Sequence, residues 1–213
     1  DGHNQYAPMP GIQPLREAIA ADFESTTGVQ PCIDQDITVT SGCTEAIAAT
    51  MLGLLNPGDE VIVFEPFYDS YPATIALAGG VMKHVTTRPP DFGIDLDAVE
   101  AQISPRTRAI LLNTPHNPTG HVATEAELRG LATLCEKHDL IAICDEVYDR
   151  MVYEGTHISL AALPGMYERT ITLRSLAKSF SLTGWKIGWA IAPASLSSAI
   201  RAAHQFLIYA VPT

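Results

Sequence analysis

Short apolar runs rich in β-branched residues alternate with helical patterns from Ile37 to Ile191. This alternation is typical of βα units around a mostly parallel sheet, and strands that are almost wholly apolar indicate helices on both faces. Seven strands are predicted, at residues 37–41, 61–65, 81–87, 109–114, 141–147, 170–175 and 187–192. Five helices are predicted, at residues 44–55, 69–79, 95–103, 125–139 and 194–209. The pattern therefore predicts an α/β fold, a three-layer α/β/α sandwich around a mostly parallel seven-stranded sheet.

Composition excludes some classes of function. The chain has 213 residues, 46% of them hydrophobic and 17% charged, which is ordinary for a globular domain. Acidic residues outnumber basic ones by 24 to 13 and no basic stripe follows the chain, so nucleic acid is not an expected partner. No run reaches the roughly 18 apolar residues of a membrane span, and no signal peptide opens the chain. We therefore expect a cytoplasmic protein without a membrane partner.

The four cysteines are widely spaced and form no C-x-x-C pair. They are Cys32, Cys43, Cys135 and Cys144. We expect all four to be reduced and structural, and the sequence predicts no metal site.

Ligands of an open α/β sheet bind beyond the carboxyl ends of its strands, so the residues that follow each apolar run are the candidates. At residues 40–46, TSGCTEA, a strand gives way to a helix through small residues. The free N–H groups of Gly42, Cys43 and Thr44 then lie at the positive end of the helix dipole, where an anion such as a phosphate would bind. An ordinary helix cap by Ser41 is the alternative interpretation.

Two further strand ends carry side chains suited to a flat, polar ligand. In EPFYDSY, residues 65–71, Phe67 and Tyr68 could stack on a planar ring, although core packing is the alternative. In NTPHNPTG, residues 113–120, two prolines impose a rigid path that would present the Asn117 amide in a fixed direction. A plain turn would explain the prolines but not the density of polar groups.

An acidic residue ends another apolar strand in ICDEVYD, residues 143–149. The half-buried carboxylate of Asp145 needs a cation or a hydrogen-bond donor, and a protonated ring nitrogen would serve. Tyr148 follows three residues later. A strand-end aspartate that caps a turn is the alternative.

Two lysines and a serine stand among apolar residues in SLAKSFSLTGWKIGW, residues 175–189. The apolar neighbours of Lys178 are expected to dehydrate it, which favours the neutral amine, a nucleophile towards carbonyl carbons. These neighbours are Leu176, Ala177 and Phe180. Lys186 remains available as a cation for a phosphate, and Ser175 as a hydroxyl. A surface lysine with a buried stem is the alternative for Lys178.

The segments NTPHNPTG, DEVYD and SLAKSFSLTGWKIGW resemble the signature regions of class I/II aminotransferases of fold type I, which bind pyridoxal 5'-phosphate (PLP). The similarity runs in order from residues 4–20 to the last helix. It implies that Lys178 holds the cofactor as a Schiff base and moves the substrate proton, while Asp145 keeps the pyridine nitrogen protonated. It also implies that Tyr148 and Asn117 bind the ring 3-oxygen and that Tyr68 stacks on the ring.

The same resemblance assigns the cofactor phosphate to one end of the site. Its expected ligands are the N–H groups of Gly42 and Cys43, the hydroxyls of Ser41 and Ser175, and Lys186. Tyr6 resembles the tyrosine that reaches the phosphate of a neighbouring subunit, which implies a homodimer. Lys186 stands where many members have arginine, so a point charge replaces a bidentate fork.

The resemblance implies transfer of an amino group from an L-amino acid to a 2-oxo acid by a ping-pong mechanism. The alternatives are a cysteine-conjugate C–S β-lyase, which has the same cofactor and motifs, and a sensor domain without catalysis. Residues 65–80 and 181–193 look most like the subgroup that acts on methionine, kynurenine, aromatic or succinyl-diaminopimelate substrates.

The expected domain organisation has three parts. Residues 1–13 would contribute to the dimer interface, residues 14–193 would form the PLP-binding large domain, and residues 194–213 would lead towards a small domain outside this sequence. No residue here corresponds to the arginine that binds the substrate α-carboxylate in the family. We therefore expect these residues to be the large domain of a longer enzyme.

Overall fold

A computed structural model describes residues 5–211 and places one seven-stranded sheet at their centre. In chain order the strands are β1 (Ile37–Thr40), β2 (Glu60–Glu65), β3 (Val81–Thr86), β4 (Thr107–Asn113), β5 (Ile141–Asp145), β6 (Thr170–Ser175) and β7 (Gly188–Ile191). Their spatial order is β1-β7-β6-β5-β4-β2-β3, and only β7 runs antiparallel to its neighbours. All seven predicted strands and the mostly parallel sheet are confirmed.

Six α-helices are present in the described part of the chain. They are α1 (Gln13–Thr27), α2 (Gly42–Leu54), α3 (Ser70–Leu77), α4 (Leu96–Gln102), α5 (Glu125–Lys137) and α6 (Ala194–Leu207). The five predicted helices are confirmed, but α1 was not predicted. Its buried face includes Arg16, whose guanidinium donates to the carbonyls of Gly11 and Ile33 and to Asp34. A charged residue on the inner face hides the apolar periodicity by which helices are recognised.

The strands contact helices on both sides, which confirms the three-layer arrangement. Alternate residues of β4 enter two different cores, as the period of two in a strand requires. Ala109 and Leu111 pack with α2, α3 and α6, whereas Ile110 and Leu112 pack with α4 and α5. A third cluster, which includes Ile19 and Phe23, packs α1 against β1 and β7. These clusters pack against both faces of the sheet and so position the carboxyl ends of the parallel strands.

A buried ion pair joins β5 to β6 next to these strand ends. Glu146 and Arg174 are almost inaccessible, and Arg174 donates to Glu146 Oε2 from Nε at 3.1 Å and from Nη2 at 2.8 Å. Ser159 donates to the other carboxylate oxygen at 2.6 Å. Burial raises the pKa of Glu146, but the charge of Arg174 and the contact with His157 outweigh it and lower the pKa from 4.5 to about 2. The pair is therefore ionised in the native state.

We expect Glu146→Gln to lower the free energy of unfolding at neutral pH by about 3 kcal/mol. This value is the lower end of the range for breaking a buried ion pair, since Arg174 still has Asp149 and Asp22 nearby. A carboxyl with a lowered native pKa stabilises the fold above its unfolded pKa and loses that effect as the pH falls through its native pKa. The parent should thus lose stability between pH 4.5 and about 2, and the variant should lack this part of the acid dependence.

Urea unfolding of the full-length protein across this pH range measures both effects. Glu125→Gln, which breaks the exposed pair with Arg129, is the matched control and should change little. A variant as stable as the parent at neutral pH would contradict the assignment.

Candidate active site

A cavity of about 300 Å³ opens at the carboxyl ends of the parallel strands. It is lined by nine of the eleven predicted cofactor-binding residues, namely Gly42, Cys43, Tyr68, Asn117, Asp145, Tyr148, Ser175, Lys178 and Lys186. Because these residues come from five separate segments of the sequence, only the fold brings them together. Their convergence follows from the parallel order of the strands, which places β4, β5 and β6 side by side.

The start of α2 forms one wall of the cavity. Gly42 is the first helical residue and has φ +72°, a conformation that favours glycine. Ser41 precedes it but makes no side-chain cap, so the alternative of an ordinary serine cap is wrong. The first N–H groups of the helix are therefore left for a ligand.

Lys186 lies over this helix start. A Cβ added to Gly42 would be 3.3 Å from Lys186 Cδ and 3.7 Å from its Nζ. Lys186 itself has φ +55°, so its backbone turns sharply before β7. An ammonium group and the positive end of a helix thus face the same space, which suits a phosphate.

Glu45, an acidic residue near this positive helix start, contacts a histidine. Glu45 accepts from the Ser41 N–H at 3.1 Å and lies 3.1 Å from His204 Nδ1, while His204 Nε2 donates to the Met9 carbonyl at 3.0 Å. Burial lowers the pKa of His204, but the hydrogen bond and charge of Glu45 outweigh it and raise the pKa. Both ring nitrogens of His204 face acceptors, the Glu45 carboxylate and the Met9 carbonyl, an arrangement that suits a charged imidazolium beside Glu45.

Gly188 allows β7 to approach α2. A Cβ at this position would lie 2.5 Å from the Cys43 nitrogen and 2.5 Å from the Gly42 carbonyl carbon. Both atoms belong to the backbone, so no side-chain rotation could relieve the contact. Glycine at position 188 therefore fixes the geometry of the helix start.

We expect Gly188→Ala to destabilise the protein by about 1–3 kcal/mol, the usual cost of overpacking, because the start of α2 must move. Gly184→Ala is the matched control, since a Cβ there meets nothing within 4 Å. Thermal unfolding of the two full-length variants measures the difference. Equal melting temperatures would contradict a tight contact at Gly188.

Asp145 ends β5 at the floor of the cavity and is 4% exposed. Its Oδ2 accepts from the Tyr71 hydroxyl at 2.7 Å and its Oδ1 from the Val147 N–H at 3.2 Å, and Cys43 Sγ lies 3.7 Å from Oδ1. Burial raises the pKa of Asp145, and these three donors offset the rise only in part. Within residues 5–211 no lysine, arginine or histidine pairs with this carboxylate, so a ligand cation would be its natural partner.

Two asparagines connect the neighbouring strand to the floor. Asn113, opposite Asp145 in the sheet register, donates to the Asp145 carbonyl at 2.9 Å. Its side-chain oxygen accepts from the Asn117 N–H at 2.7 Å, which fixes the rigid turn that carries Asn117. Sequence reasoning missed Asn113, although its place at a strand end was a usable signal. It also missed Tyr71, which looks like an ordinary helix residue in the sequence.

Three tyrosines line the cavity, namely Tyr68, Tyr71 and Tyr148. Tyr68 packs edge-on against the Tyr71 ring, with centroids 5.7 Å apart. Phe67 does not line the cavity and packs, partly buried, against the core, in line with its alternative interpretation. Burial and then the charge of Asp145 raise the pKa of Tyr148, so its hydroxyl stays protonated at neutral pH and can donate.

Lys178 follows β6 in the loop that leads to β7, and its side chain faces the cavity. The expectation that its neighbours dehydrate it is wrong. Lys178 is exposed, and Phe180 turns outward with 44% of its surface exposed. The loop lies on the open side of the strand ends, so adjacent apolar residues in the sequence do not enclose the amine. Ser175 is buried at the start of the loop and accepts from the Ala177 N–H at 3.0 Å.

Two predicted site residues lie outside the cavity. Ser41 directly precedes the lining residue Gly42, and the role of its hydroxyl as a phosphate ligand stays a prediction. Tyr6 is 83% exposed, with its ring 5.2 Å from that of Tyr209. Its role in a neighbouring subunit stays a prediction.

The cysteines and the absent site types can be described for residues 5–211. All four thiols are free there; Cys135 and Cys144 are buried, whereas Cys32 is exposed and Cys43 borders the cavity. The structural role expected for Cys32 therefore finds no support in packing. In the same part of the chain no group of three or more acidic, histidine or cysteine residues could hold a metal ion. None of its helices combines the length and apolar character needed to cross a membrane.

Comparison with known proteins agrees with the fold and identifies the family. A sequence model of the family "Aminotransferase class I and II" matches residues 1–213. A probable N-succinyldiaminopimelate aminotransferase of Mycobacterium tuberculosis is 49% identical over 98% of this chain and 53% of its own length. The methionine aminotransferase of Escherichia coli is 46% identical over 100% of this chain and 55% of its own length. The chain thus spans about half the length of these relatives.

Solved structures give the same result. The N-succinyldiaminopimelate aminotransferase of M. tuberculosis superposes with a TM-score of 0.96 at 48% identity, covering 98% of this chain and 55% of that one. The aspartate aminotransferase of Thermus thermophilus superposes with a TM-score of 0.94 at 37% identity, covering 99% and 55%. The sequence model and these relatives define the class of protein. This chain belongs to the class I and II aminotransferases, a family that uses PLP.

Proposed function

We propose that this chain binds PLP in the cavity and serves a transaminase that moves an amino group from an L-amino acid to a 2-oxo acid. The observation that carries the proposal is the convergence of Lys178, Asp145 and the start of α2 in one space. Residues 14–193 would form the cofactor-binding domain.

The donors and acceptors of the cavity fit the chemistry of PLP group by group. The uncapped N–H groups of α2 and the Lys186 ammonium suit a phosphate, and Gly42 leaves room where a Cβ would approach Lys186. The buried Asp145 carboxylate suits a protonated pyridine nitrogen. The amide of Asn117 and the hydroxyl of Tyr148 suit the phenolic oxygen, and the Tyr68 ring suits an aromatic face.

Each residue then has a chemical task. Lys178 Nζ would replace the oxygen of the cofactor's aldehyde, which leaves as water with the two amine protons. Once displaced by the substrate amine, the lysine would carry a proton between the substrate α-carbon and the cofactor C4′. PLP, when bound, supplies an electron sink for the pair left on the α-carbon. Asp145 would hold a proton on the ring nitrogen. Because Lys178 is exposed in this structure, water would have to be excluded by substrate or by other parts of the enzyme.

We also propose a cytoplasmic homodimer in which Tyr6 completes the neighbouring site. Tyr6 and Tyr209, whose rings lie 5.2 Å apart, are both exposed, which favours a covered surface. Mixing Lys178→Ala subunits with Tyr6→Ala subunits tests this arrangement. A shared site predicts activity in the mixture that neither variant has alone, since one site of each hybrid dimer is complete. Activity that never exceeds that of the two variants would contradict it.

The function is tested with the purified full-length protein. L-methionine, L-kynurenine and N-succinyl-L,L-diaminopimelate serve as amino donors, since relatives are named for these substrates. A transaminase requires an added 2-oxo acid, and its double-reciprocal plots should be parallel because the two substrates react in turn. Pyruvate and ammonia released from a cysteine thioether without an oxo acid would indicate the β-lyase instead. Binding of PLP without turnover of any donor would favour a sensor, and absence of binding would contradict the proposal.

A further inference from the structure

A network of charged side chains lies behind the cavity, on the opposite side of the strand ends. Glu146 directly follows Asp145, and Arg174 directly precedes Ser175. Successive residues of a strand point to opposite faces. The Glu146–Arg174 pair therefore joins the two strand ends from the side that faces away from the ligand.

Arg174 extends this network to the segment after β5. Its Nη1 lies 3.4 Å from Asp149 Oδ2 and 3.5 Å from Asp22 Oδ2. Burial lowers the pKa of Arg174, but Glu146 and then Asp149 outweigh it, so the guanidinium stays charged. Asp149 is thereby held by a cation that the core itself fixes.

The network ends on the residue next to Lys178. Ser179 donates its hydroxyl to Asp149 Oδ1 at 2.6 Å and lies 3.2 Å from the Val147 carbonyl. Phe180 follows with its ring 5.1 Å from the Arg150 guanidinium, and Arg150 pairs with Asp22. Two successive residues after Lys178 are thus tied to the same charged network.

Lys178 has no comparable support of its own. In the described part of the chain its side chain makes no hydrogen bond, and the loop is otherwise closed by backbone contacts such as Ser181 N–H to the Lys178 carbonyl at 3.2 Å. A lysine side chain is a flexible stem, so the position of its amine depends on where the backbone is held. On one side of Lys178 the Ala177 N–H donates to the Ser175 hydroxyl, and on the other side the Ser179 hydroxyl ties the backbone to the charged network.

We propose that Asp149, acting through Ser179, is a positioning residue that places the Lys178 amine for attachment to the cofactor. The inference rests on the proposed function. Covalent attachment requires the nitrogen near the aldehyde carbon, and a misplacement of about 1 Å can slow such a step by about 10²-fold. The phosphate end of the cavity does not depend on this hydrogen bond.

The test separates attachment from binding in the full-length protein. Pyridoxamine 5'-phosphate carries an amine in place of the aldehyde, so its affinity reports the cavity without Lys178. PLP additionally gives a visible absorption band when it joins the lysine, and the growth of that band gives the rate of attachment. In Ser179→Ala we expect attachment to slow by about 10- to 100-fold, while the dissociation constant for pyridoxamine 5'-phosphate stays within about twofold of the parent value.

Three further variants sharpen the result. Ser181→Ala is the matched control, because that serine lies in the same loop and its hydroxyl makes no hydrogen bond within residues 5–211. Ser179→Thr keeps the hydroxyl and should restore the parent rate. Asp149→Ala should slow attachment as much as Ser179→Ala, and the double variant should be no slower than either, as for two groups that act together.

Some outcomes would overturn the inference. One is attachment at the parent rate in Ser179→Ala, and another is equal slowing in Ser181→Ala. A parallel loss of affinity for pyridoxamine 5'-phosphate would also overturn it, because the network would then support the whole cavity. A parent protein that binds pyridoxamine 5'-phosphate but never gains the visible band would instead contradict the role proposed for Lys178.

Discussion

Lys178→Ala is expected to lower the rate of transamination by about 10⁴-fold or more, the upper end of what a positioned proton-transfer group contributes. The variant loses the amine that is proposed to attach to the cofactor and to move the substrate proton. Its affinity for pyridoxamine 5'-phosphate should be unchanged, because the start of α2, Lys186 and Asp145 remain. Single-turnover kinetics with a donor amino acid measures the rate, and equilibrium dialysis measures the affinity.

Chemical trapping gives an independent readout of the same prediction. Borohydride treatment should fix PLP to the parent at Lys178, detectable by mass spectrometry of the peptide, and should fix none there in the variant. Lys137→Ala removes an exposed lysine that pairs with Glu100 and serves as the control. A Lys178→Ala protein that keeps the parent rate would assign the chemistry to another residue.

Asp145→Asn is expected to lower kcat/KM by roughly 30- to 5,000-fold. This factor corresponds to a loss of about 2–5 kcal/mol of binding free energy in the transition state, as for the loss of one partner of a buried charge pair. Asparagine preserves the shape of the side chain and can still accept from Tyr71, but it cannot stabilise a positive charge on the ring nitrogen. Steady-state kinetics in the full-length enzyme measures the loss.

A cofactor analogue with carbon in place of the pyridine nitrogen makes this prediction specific. The parent and Asp145→Asn should bind the analogue with similar affinity, because neither can use a charge that the analogue lacks. With PLP, the kcat/KM of Tyr71→Phe should lie between the values of the parent and of Asp145→Asn. This substitution removes one hydrogen-bond donor that favours the ionised form of Asp145. If Asp145→Asn lowered the affinity for PLP and the affinity for the analogue equally, Asp145 would act only by packing.

The sequence predicted the sheet well because its signal is local. Each strand is a short apolar run, and all seven were found within one or two residues. The helix α1 escaped because Arg16 occupies its inner face and satisfies its charge with Gly11, Ile33 and Asp34, partners that the local pattern does not show. The antiparallel direction of β7 could not be read from its own residues either.

The residues that line the cavity were easier to predict from the sequence than the residues that support them. Lys178, Asp145 and Asn117 stand in motifs whose resemblance to a family is visible in the sequence. Tyr71 and the Glu146–Arg174 pair act through partners that are distant in the chain, so their contacts exist only in three dimensions. The exposure of Lys178 was likewise hidden, because neighbours in the sequence do not decide on which side of a loop water lies.

Because Gly188 of β7 packs against the start of α2, binding of a cofactor at this helix start would depend on β7 being in place. β7 is the last of the seven strands in chain order, yet it lies between β1 and β6, so the proposed phosphate site cannot form until all seven strands have been synthesised. A cofactor that binds only the completed sheet stabilises it by mass action, by about 2.7 kcal/mol at a concentration one hundred times its dissociation constant. A cell short of PLP would therefore hold less of this protein, because chains that wait with β1 unpaired are open to aggregation and degradation.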